Sequence, residues 1–231
     1  MTRLGIVTGM QFEADILAAE LAKSAGADIK VICAGPGYRP ARRAAEALMD
    51  DGADALLSFG IAGSLLEEAR PGTLLLADQV IHWSDAIDVD AAWMGRLREG
   101  IAGQKFPSRH GNLAHSDPPA ATPSDKRFLH IQTRALGVDM ESFGVAEIAR
   151  DRGARFLALR AVADAHNRMV PVSAIEAMNN DGTVSAVRAL TVLGLHPWEI
   201  GDMIRLGLNT AAAKRTLSDL ARLGVPRLFF M

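Results

Sequence analysis

The stretch Phe156-Leu-Ala-Leu-Arg-Ala-Val-Ala-Asp164-Ala-His166 is a short apolar run that ends in polar residues, and it predicts a strand over residues 156–163. Four earlier apolar runs predict further strands, over residues 4–8, 29–34, 55–59 and 73–81. Between the runs, apolar residues at helical spacing predict helices over residues 12–24, 39–51 and 141–152. This alternation predicts an α/β fold, a single domain over residues 1–231 in which helices flank a central mixed, mostly parallel β-sheet.

The composition argues against several classes of protein. A chain of 231 residues, 49% hydrophobic and 23% charged, can bury a substantial core as one globular domain. Its formal net charge of -2 argues against a broad nucleic-acid surface, so no nucleic-acid partner is expected. No Cys/His cluster has zinc spacing and no Gly-x-Gly-x-x-Gly follows the first strand, so neither a metal nor a dinucleotide is expected. The N-terminus is unlike a signal peptide and no apolar run is long enough to span a bilayer, so we expect a cytoplasmic protein.

Two segments depart from the alternation of strands and helices. Residues 95–125 are rich in Gly, Pro, Ser and His and contain one strand candidate, residues 111–116, so we expect loops that form a mobile lid. Residues 197–223 predict a helical segment broken near Gly201 or Gly207. We favour a helix packed on the sheet, and the alternative is a basic amphipathic surface for a membrane or lipid-like substrate. The chain then closes on apolar residues, Leu228-Phe-Phe-Met231.

Ligands collect at the carboxyl ends of parallel strands, and two glycine-containing motifs lie at such ends. Gly9-Met-Gln-Phe-Glu13 places a glutamate at a helix start, where it either complements the helix dipole or orients and deprotonates a water molecule. Gly60-Ile61-Ala62-Gly63 predicts a glycine turn, whose backbone either approaches a ligand closely or only connects a strand to a helix. Neither motif alone separates the functional interpretation from the structural one.

A third motif, Gly35-Pro-Gly37, precedes a helix that carries Arg39, Arg42 and Arg43. Backbone N–H groups at a helix start favour an anion, and arginines add positive charge, so the three arginines are candidate phosphate-binding residues. Gly-Pro-Gly is also common turn punctuation, and it has neither the Rossmann spacing nor the lysine of a P-loop. Both interpretations stay open.

Acidic residues dominate the two later motifs. In Gly137-Val-Asp-Met-Glu-Ser142, Asp139 and Glu141 are either helix-start acids or acceptors for vicinal sugar hydroxyls. Asp164 ends the apolar strand, which is where a catalytic acid is expected. Arg160 lies inside the same run, where an unpaired charge would be costly, so we predict a structural ion pair with an acidic partner.

Taken in order, these motifs resemble the nucleoside phosphorylase and nucleosidase superfamily, which includes purine nucleoside phosphorylases and methylthioadenosine/S-adenosylhomocysteine nucleosidases. The resemblance spans residues 4–166, and its most specific parts are Val-Asp-Met-Glu-Ser (138–142) and Leu-Arg-Ala-Val-Ala-Asp (159–164). It implies an enzyme that cleaves the N-glycosidic bond of a purine nucleoside. It further implies that Glu141 binds the ribose 2′- and 3′-hydroxyls, Met140 lies beneath the sugar and Asp164 protonates N7 of the base. Residues 60–63 would then line the base or anion site.

The resemblance favours water over phosphate as the nucleophile. Glu13 matches the water-positioning glutamate of the nucleosidases, and the glycine-and-arginine phosphate loop of hexameric bacterial phosphorylases is absent. Ile61 replaces a small hydroxyl residue of the nucleosidase glycine turn. Inorganic phosphate stays open as an alternative co-substrate, with Arg39, Arg42 and Arg43 as its candidate ligands, and no cofactor is implied.

A narrower resemblance is to the hopanoid-associated phosphorylase subfamily. It is carried by Arg39-Pro-Ala-Arg-Arg43, by the 137–142 motif and by His196-Pro-Trp198 before a basic helix. It implies release of adenine from adenosylhopane, a lipid-linked nucleoside of hopanoid biosynthesis, with peripheral contact at the inner face of the membrane. The superfamily also implies a homo-oligomer. The alternatives are a methylthioadenosine/S-adenosylhomocysteine nucleosidase, another small purine nucleoside phosphorylase, or a nucleoside-binding module without catalysis.

Overall fold

The computed structural model describes residues 3–23 and 28–223. Within these residues the strands are β1 (Leu4–Thr8), β2 (Ile29–Cys33), β3 (Ala55–Ser64), β4 (Leu74–His82), β5 (Asp85–Asp88), β6 (Ser108–His115), β7 (Gly137–Asp139) and β8 (Arg155–Asp164). The helices are α1 (Gln11–Leu21), α2 (Tyr38–Asp50), α3 (Ala91–Ile101), α4 (Pro123–Thr133), α5 (Ser142–Arg152), α6 (Val172–Ala177), α7 (Ala186–Leu195) and α8 (Ile200–Arg222). A single 3-10 turn, Pro197–Glu199, joins α7 to α8.

The described strands form one mixed sheet, which confirms the predicted α/β class. Parallel pairing joins the strands in the order β2-β1-β3-β8. A second parallel set has the order β4-β6-β7. The antiparallel pairs are β3 with β7, β4 with β5 and β4 with β8. Because β7 returns to β3 and β4 returns to β8, the circuit β3-β8-β4-β6-β7 closes on itself. "Mostly parallel" therefore describes the sheet only approximately.

Strand β8 shows how the sequence pattern builds the two sides of the core. Leu157, Leu159 and Ala161 face the side covered by α1, α3 and α8, whereas Phe156, Ala158 and Val162 face the side covered by α2 and α5. Both faces of the strand are buried, so the run is apolar at nearly every position. The alternation places Arg160 on the α2–α5 side of the sheet.

The prediction of a loop-rich mobile lid over residues 95–125 is wrong for most of that segment. Helix α3 includes residues 95–101, because Trp93, Leu97 and Ile101 are one turn apart and bury a stripe against the core. β6 then covers residues 108–115, and α4 begins at Pro123 with a capping box at Thr122. What remains as loop beside a cavity is the short connection between β6 and α4.

Two predictions about glycine are also wrong. Residues 60–63 do not form a turn, because β3 continues to Ser64, with an irregular register between Ala62 and Gly63. Helix α8 is not broken at Gly201 or Gly207 but runs from Ile200 to Arg222. Nothing lies within 4 Å of a Cβ at either position, so these glycines stand where the helix meets no neighbour.

The segment that follows β8 was not predicted from the sequence. It contains α6 and α7, and the loop between them reaches the start of α1 through a hydrogen bond from Gln11 N–H to Gly182 O at 2.9 Å. Gly182 has a φ of 80°, and a Cβ there would lie 2.5 Å from Gly9 O, so the close approach requires glycine. Glu199 fastens the start of α6, accepting hydrogen bonds from the backbone N–H groups of Val172 (3.1 Å) and Ser173 (3.0 Å).

Helix α8 is only half buried. Its second half packs on the sheet through Ala213, Leu217, Leu220 and Ala221, which confirms the favoured interpretation of this segment. Its first half carries exposed apolar side chains. Among the described residues, no helix is both long and apolar enough to cross a membrane. The apolar residues Leu228 to Met231 lie outside the described residues.

Candidate active site

Arg160 is a buried guanidinium at the centre of a polar cluster beneath a cavity, with a side chain 1% exposed. Its Nε donates to Asp139, and its Nη2 donates to the hydroxyls of Ser58 at 2.7 Å and Ser142 at 3.0 Å. The carboxylate of Glu141 lies 3.6 Å from Nη2. The predicted acidic partner is therefore Asp139, with Glu141 beside it. The pairing satisfies a charge that would otherwise be costly to bury.

Glu141 lies immediately before α5, and the backbone of another motif holds its side chain. Its Oε1 accepts a hydrogen bond from Gly37 N–H at 2.9 Å, at the start of α2. A Cβ at Gly9 would lie 2.9 Å from the Glu141 Cδ, so the β1–α1 turn also packs directly on this carboxylate. Burial raises the pKa of Glu141 to about 7, although the neighbouring Arg160 opposes the change.

Glu13 is fixed between two strands. Its Oε2 accepts from Gly9 N–H (3.0 Å) and Met10 N–H (2.9 Å), and its Oε1 accepts from Ile61 N–H (2.8 Å) on β3. Burial raises the pKa of Glu13, while the positive charge of Arg160 acts in the opposite direction. A buried carboxylate with a raised pKa is suited to take a proton from water.

The neighbours of Gly60 explain why β3 contains a glycine at this position. It pairs with Arg160 of β8, and a Cβ on it would lie 2.3 Å from Arg160 Nη1 and 2.6 Å from Glu13 Oε1. Real Cβ atoms do not approach other atoms this closely, so any side chain would push the arginine and the glutamate apart. Gly60 thus lets the two charged groups lie side by side beneath the cavity.

Asp164 ends β8, as predicted, and its charge partner is Lys126 on α4. Lys126 is 1% exposed, and its Nζ donates to Asp164 Oδ2 and to the carbonyls of Ala165 and Arg168, both at 2.8 Å. Burial raises the pKa of Asp164, and the Lys126 ammonium opposes this rise. Sequence reasoning missed Lys126, because a lysine in an amphipathic helix gives no sign that it points inward.

These side chains border one cavity of about 560 Å³. The predicted site residues that line it are Glu13, Ile61, Ala62, Gly63, Met140, Glu141 and Asp164. The carboxylates form its polar floor, and the walls are mostly apolar. Wall residues that the sequence did not reveal include Met10, Phe12, Ile175, Met178, Met203 and Leu206. Ser116, Pro119 and Ala120 of the β6–α4 loop complete the lining.

The structure does not bring the candidate phosphate-binding arginines to this cavity. Arg39 and Arg43 are exposed on α2, and neither borders the cavity. Arg42 lies among acidic side chains, with Glu46 at 3.2 Å, Glu147 at 3.7 Å and Asp151 at 3.9 Å. The anion at the start of α2 is the protein's own Glu141 carboxylate.

Comparison with known proteins agrees with this architecture. The family model of the phosphorylase superfamily matches residues 3–193. Futalosine hydrolase of Helicobacter pylori superimposes with a TM-score of 0.74 at 16% identity, covering 96% of both chains. The H. pylori 5′-methylthioadenosine/S-adenosylhomocysteine nucleosidase, solved with butyl-thio-DADMe-Immucillin-A, gives a TM-score of 0.69 at 17% identity, covering 95% of this chain and 97% of that one.

A putative nucleosidase of the same kind from Francisella philomiragia gives a TM-score of 0.70 at 16% identity, covering 99% of this chain and 98% of that one. No curated protein matches the chain at a significant level. At these identities the solved structures establish a shared fold, while the family model covers most of the chain. The chain therefore belongs to the phosphorylase superfamily, whose enzymes cleave glycosidic bonds.

Proposed function

We propose that this protein is a nucleosidase that hydrolyses the N-glycosidic bond of a purine nucleoside. The observation that carries the proposal is that Glu13, Glu141 and Asp164 line one cavity, although they come from three separate parts of the chain. Cleavage of this bond leaves an oxocarbenium-like sugar and puts negative charge on the base. The three carboxyl groups match the three needs of that reaction: a held sugar, an activated water and a proton for the base.

Each residue has a defined part in the proposed reaction. Glu141 accepts hydrogen bonds from the ribose 2′- and 3′-hydroxyls, and Met140 packs beneath the sugar without competing as a nucleophile. Asp164 delivers a proton or a strong hydrogen bond to N7 of the purine. Glu13 orients the water and takes its proton as the C1′–N9 bond breaks. Asp139 also lines the cavity, and its carboxylate holds Arg160 in place by accepting a hydrogen bond from the guanidinium.

The charge of the site favours water over phosphate. The buried guanidinium of Arg160 already donates hydrogen bonds to Asp139 and two serines. Its positive charge is shared among three carboxylates, those of Asp139, Glu141 and Glu13. An inorganic phosphate would bring further negative charge against these carboxylates. The surface arginines of α2 do not border the cavity and cannot offset it. Hydrolysis is therefore the proposed reaction, and phosphorolysis is the alternative.

The cavity walls favour a nucleoside with a large apolar 5′ substituent. Beyond the polar floor the cavity is lined by helices α6, α7 and α8. Val184 also lines it and is 58% exposed, so the apolar wall reaches the protein surface at this residue. From there an exposed apolar surface extends along the same helices. We define it as the α7–α8 apolar face: Val184, Val187, Leu190, Leu195, Trp198, Ile200, Ile204 and Leu208.

Adenosylhopane is the proposed substrate, because its polycyclic hydrocarbon would bury apolar surface on binding. Each Å² of apolar surface removed from water contributes about 25 cal/mol to the free energy of binding. The nucleoside end would occupy the cavity, and the hydrocarbon would extend towards the α7–α8 apolar face. Arg188, Arg205 and Lys214 lie on the same helices and suit an anionic lipid surface. We therefore propose peripheral contact at the inner face of the membrane. A second copy of the chain is the other candidate for covering this face, in keeping with the expected homo-oligomer.

An adenine-release assay tests the proposal. The purified protein is incubated with adenosylhopane in mixed micelles, with methylthioadenosine or with inosine, each with and without inorganic phosphate. We expect adenine and a free reducing sugar from adenosylhopane at a rate that phosphate does not change. A sugar 1-phosphate that forms only with phosphate would indicate phosphorolysis instead. Faster release from methylthioadenosine would favour the small-nucleoside alternative, and no release from any nucleoside would leave only a binding module.

A further inference from the structure

We propose that Lys126 is a positioning residue that supplies, through Asp164, the proton that leaves with the purine. This inference rests on the nucleosidase function proposed above and adds a second residue to its acid. Lys126 comes from α4 and lies behind Asp164, since it does not itself line the cavity. Its ammonium is buried and contacts the carboxylate that faces the leaving base.

Every N–H group of the Lys126 ammonium has a hydrogen-bond acceptor. Its three N–H donors match three acceptors, namely Asp164 Oδ2 and the carbonyl oxygens of Ala165 and Arg168. The two carbonyls lie in the turn that follows β8, so they fix the ammonium at the end of the strand. One donor therefore points at the carboxylate along a defined hydrogen bond. Such an arrangement is needed for proton transfer and is more specific than a surface ion pair.

Few other groups act on Asp164. Strand β3 presents Gly63, where a Cβ would lie 3.5 Å from Asp164 Oδ2, and β7 presents the apolar Val138 beside it. The turn after β8 contributes the backbone N–H of Ala165, which favours the ionised carboxylate. Among the described residues, the charge that opposes the rise in the pKa of Asp164 is the Lys126 ammonium.

The reaction balances with this pair as the proton source. The C1′–N9 bond breaks, its electron pair stays on the purine, and N7 becomes basic. One proton passes from Lys126 Nζ to the Asp164 carboxylate and from there to N7, so Lys126 becomes a neutral amine. Water adds to C1′ and loses its proton to Glu13, and exchange with solvent restores both groups.

Substrates with different leaving groups separate this role from a structural one. We compare wild type with Lys126→Met, Lys126→Arg and Lys30→Met, an exposed lysine paired with Asp51 that serves as the control. One substrate is a purine nucleoside, and the other is 4-nitrophenyl riboside, whose phenolate leaves without a proton. Lys126→Met should slow purine release about a hundredfold or more and change release of the phenolate little. Lys126→Arg keeps the charge but does not yield its proton, so it should resemble Lys126→Met.

The pH profile is the second measurement, and it needs only the purine substrate. In Lys126→Met, Asp164 has to take its proton directly from solvent, so residual activity should rise as pH falls while wild type changes less. Parallel profiles for the two proteins would overturn the inference, as would an unchanged rate of purine release in Lys126→Met. If Lys126→Met slowed release from both substrates equally and Lys126→Arg restored both rates, the role of Lys126 would be structural and the inference would be wrong. A wild type that releases no purine would instead overturn the nucleosidase function itself.

Discussion

Glu141 accepts a hydrogen bond from the backbone N–H of Gly37 at 2.9 Å, so a carboxylate of the protein occupies the anion position at the start of α2. The Gly35–Gly37 turn and the 137–142 motif are separated by about a hundred residues and meet at this bond. The start of α2 therefore supports Glu141, the residue that we propose binds the sugar. The bond also keeps a second anion away from the start of this helix.

Replacing Glu141 by Gln should change how stability depends on pH. The pKa of Glu141 is about 7 in the folded protein against an ordinary 4.5, so the folded state retains a proton that the unfolded chain has lost between these values. Its contribution to stability is complete below pH 4.5 and is lost as pH rises through 7, by up to about 3 kcal/mol. Urea unfolding of Glu141→Gln should therefore show a shallower fall in stability across this window, and a slope equal to that of wild type would contradict the raised pKa.

Asp164→Asn should abolish the proton transfer while preserving the shape of the site. We expect purine release to fall by roughly a hundredfold to ten-thousandfold, as for loss of a general acid. The dissociation constant for a non-cleavable nucleoside, measured by calorimetry, should change much less, because Glu141 and Met140 still hold the sugar. Unchanged turnover would remove Asp164 from the mechanism, and loss of binding together with turnover would assign it to recognition.

Gly60→Ala and Gly201→Ala form a matched pair of substitutions. A Cβ at Gly60 would lie 2.3 Å from Arg160 Nη1, so Gly60→Ala should destabilise the protein by about 1–3 kcal/mol and lower its activity. A Cβ at Gly201 meets nothing within 4 Å in helix α8, so Gly201→Ala should raise stability by about 0.5–1 kcal/mol. Thermal and urea unfolding measure both, and equal effects at the two positions would contradict the close packing beneath the cavity.

The α7–α8 apolar face should bind membranes. Leu208→Glu places a charge in this face, whereas Ile131→Glu makes a similar change at an exposed apolar position of α4, outside it. Flotation with phosphatidylcholine–phosphatidylglycerol vesicles should carry wild type and Ile131→Glu to the top and leave Leu208→Glu behind. If no protein floats and Leu208→Glu alone runs as a smaller species in gel filtration, the face is a subunit interface instead.

Local sequence patterns predict the alternation of strands and helices, and with it the order of the site motifs. Leu4–Thr8 matches its predicted strand residue for residue, because a strand buried on both faces is a continuous apolar run. Asp164 was placed at the end of β8 for the same reason. Local patterns also predicted that Arg160 needs an acid, since the cost of burying an unpaired charge does not depend on the fold.

Which side chains come into contact depends on packing between segments that are distant in the chain. Lys126 and Asp164 are 38 residues apart, and no local pattern signals that a lysine of α4 turns inward to the end of β8. The need for glycine at position 60 of β3 comes from Arg160 of β8 and Glu13 of α1, which leave no room for a Cβ there. The segment that contains α6 and α7 is likewise held by residues distant in the chain, Gln11 at Gly182 and Glu199 at the start of α6. Local composition fixes what each segment can bury, whereas packing between distant segments fixes which charges become partners and where the cavity lies.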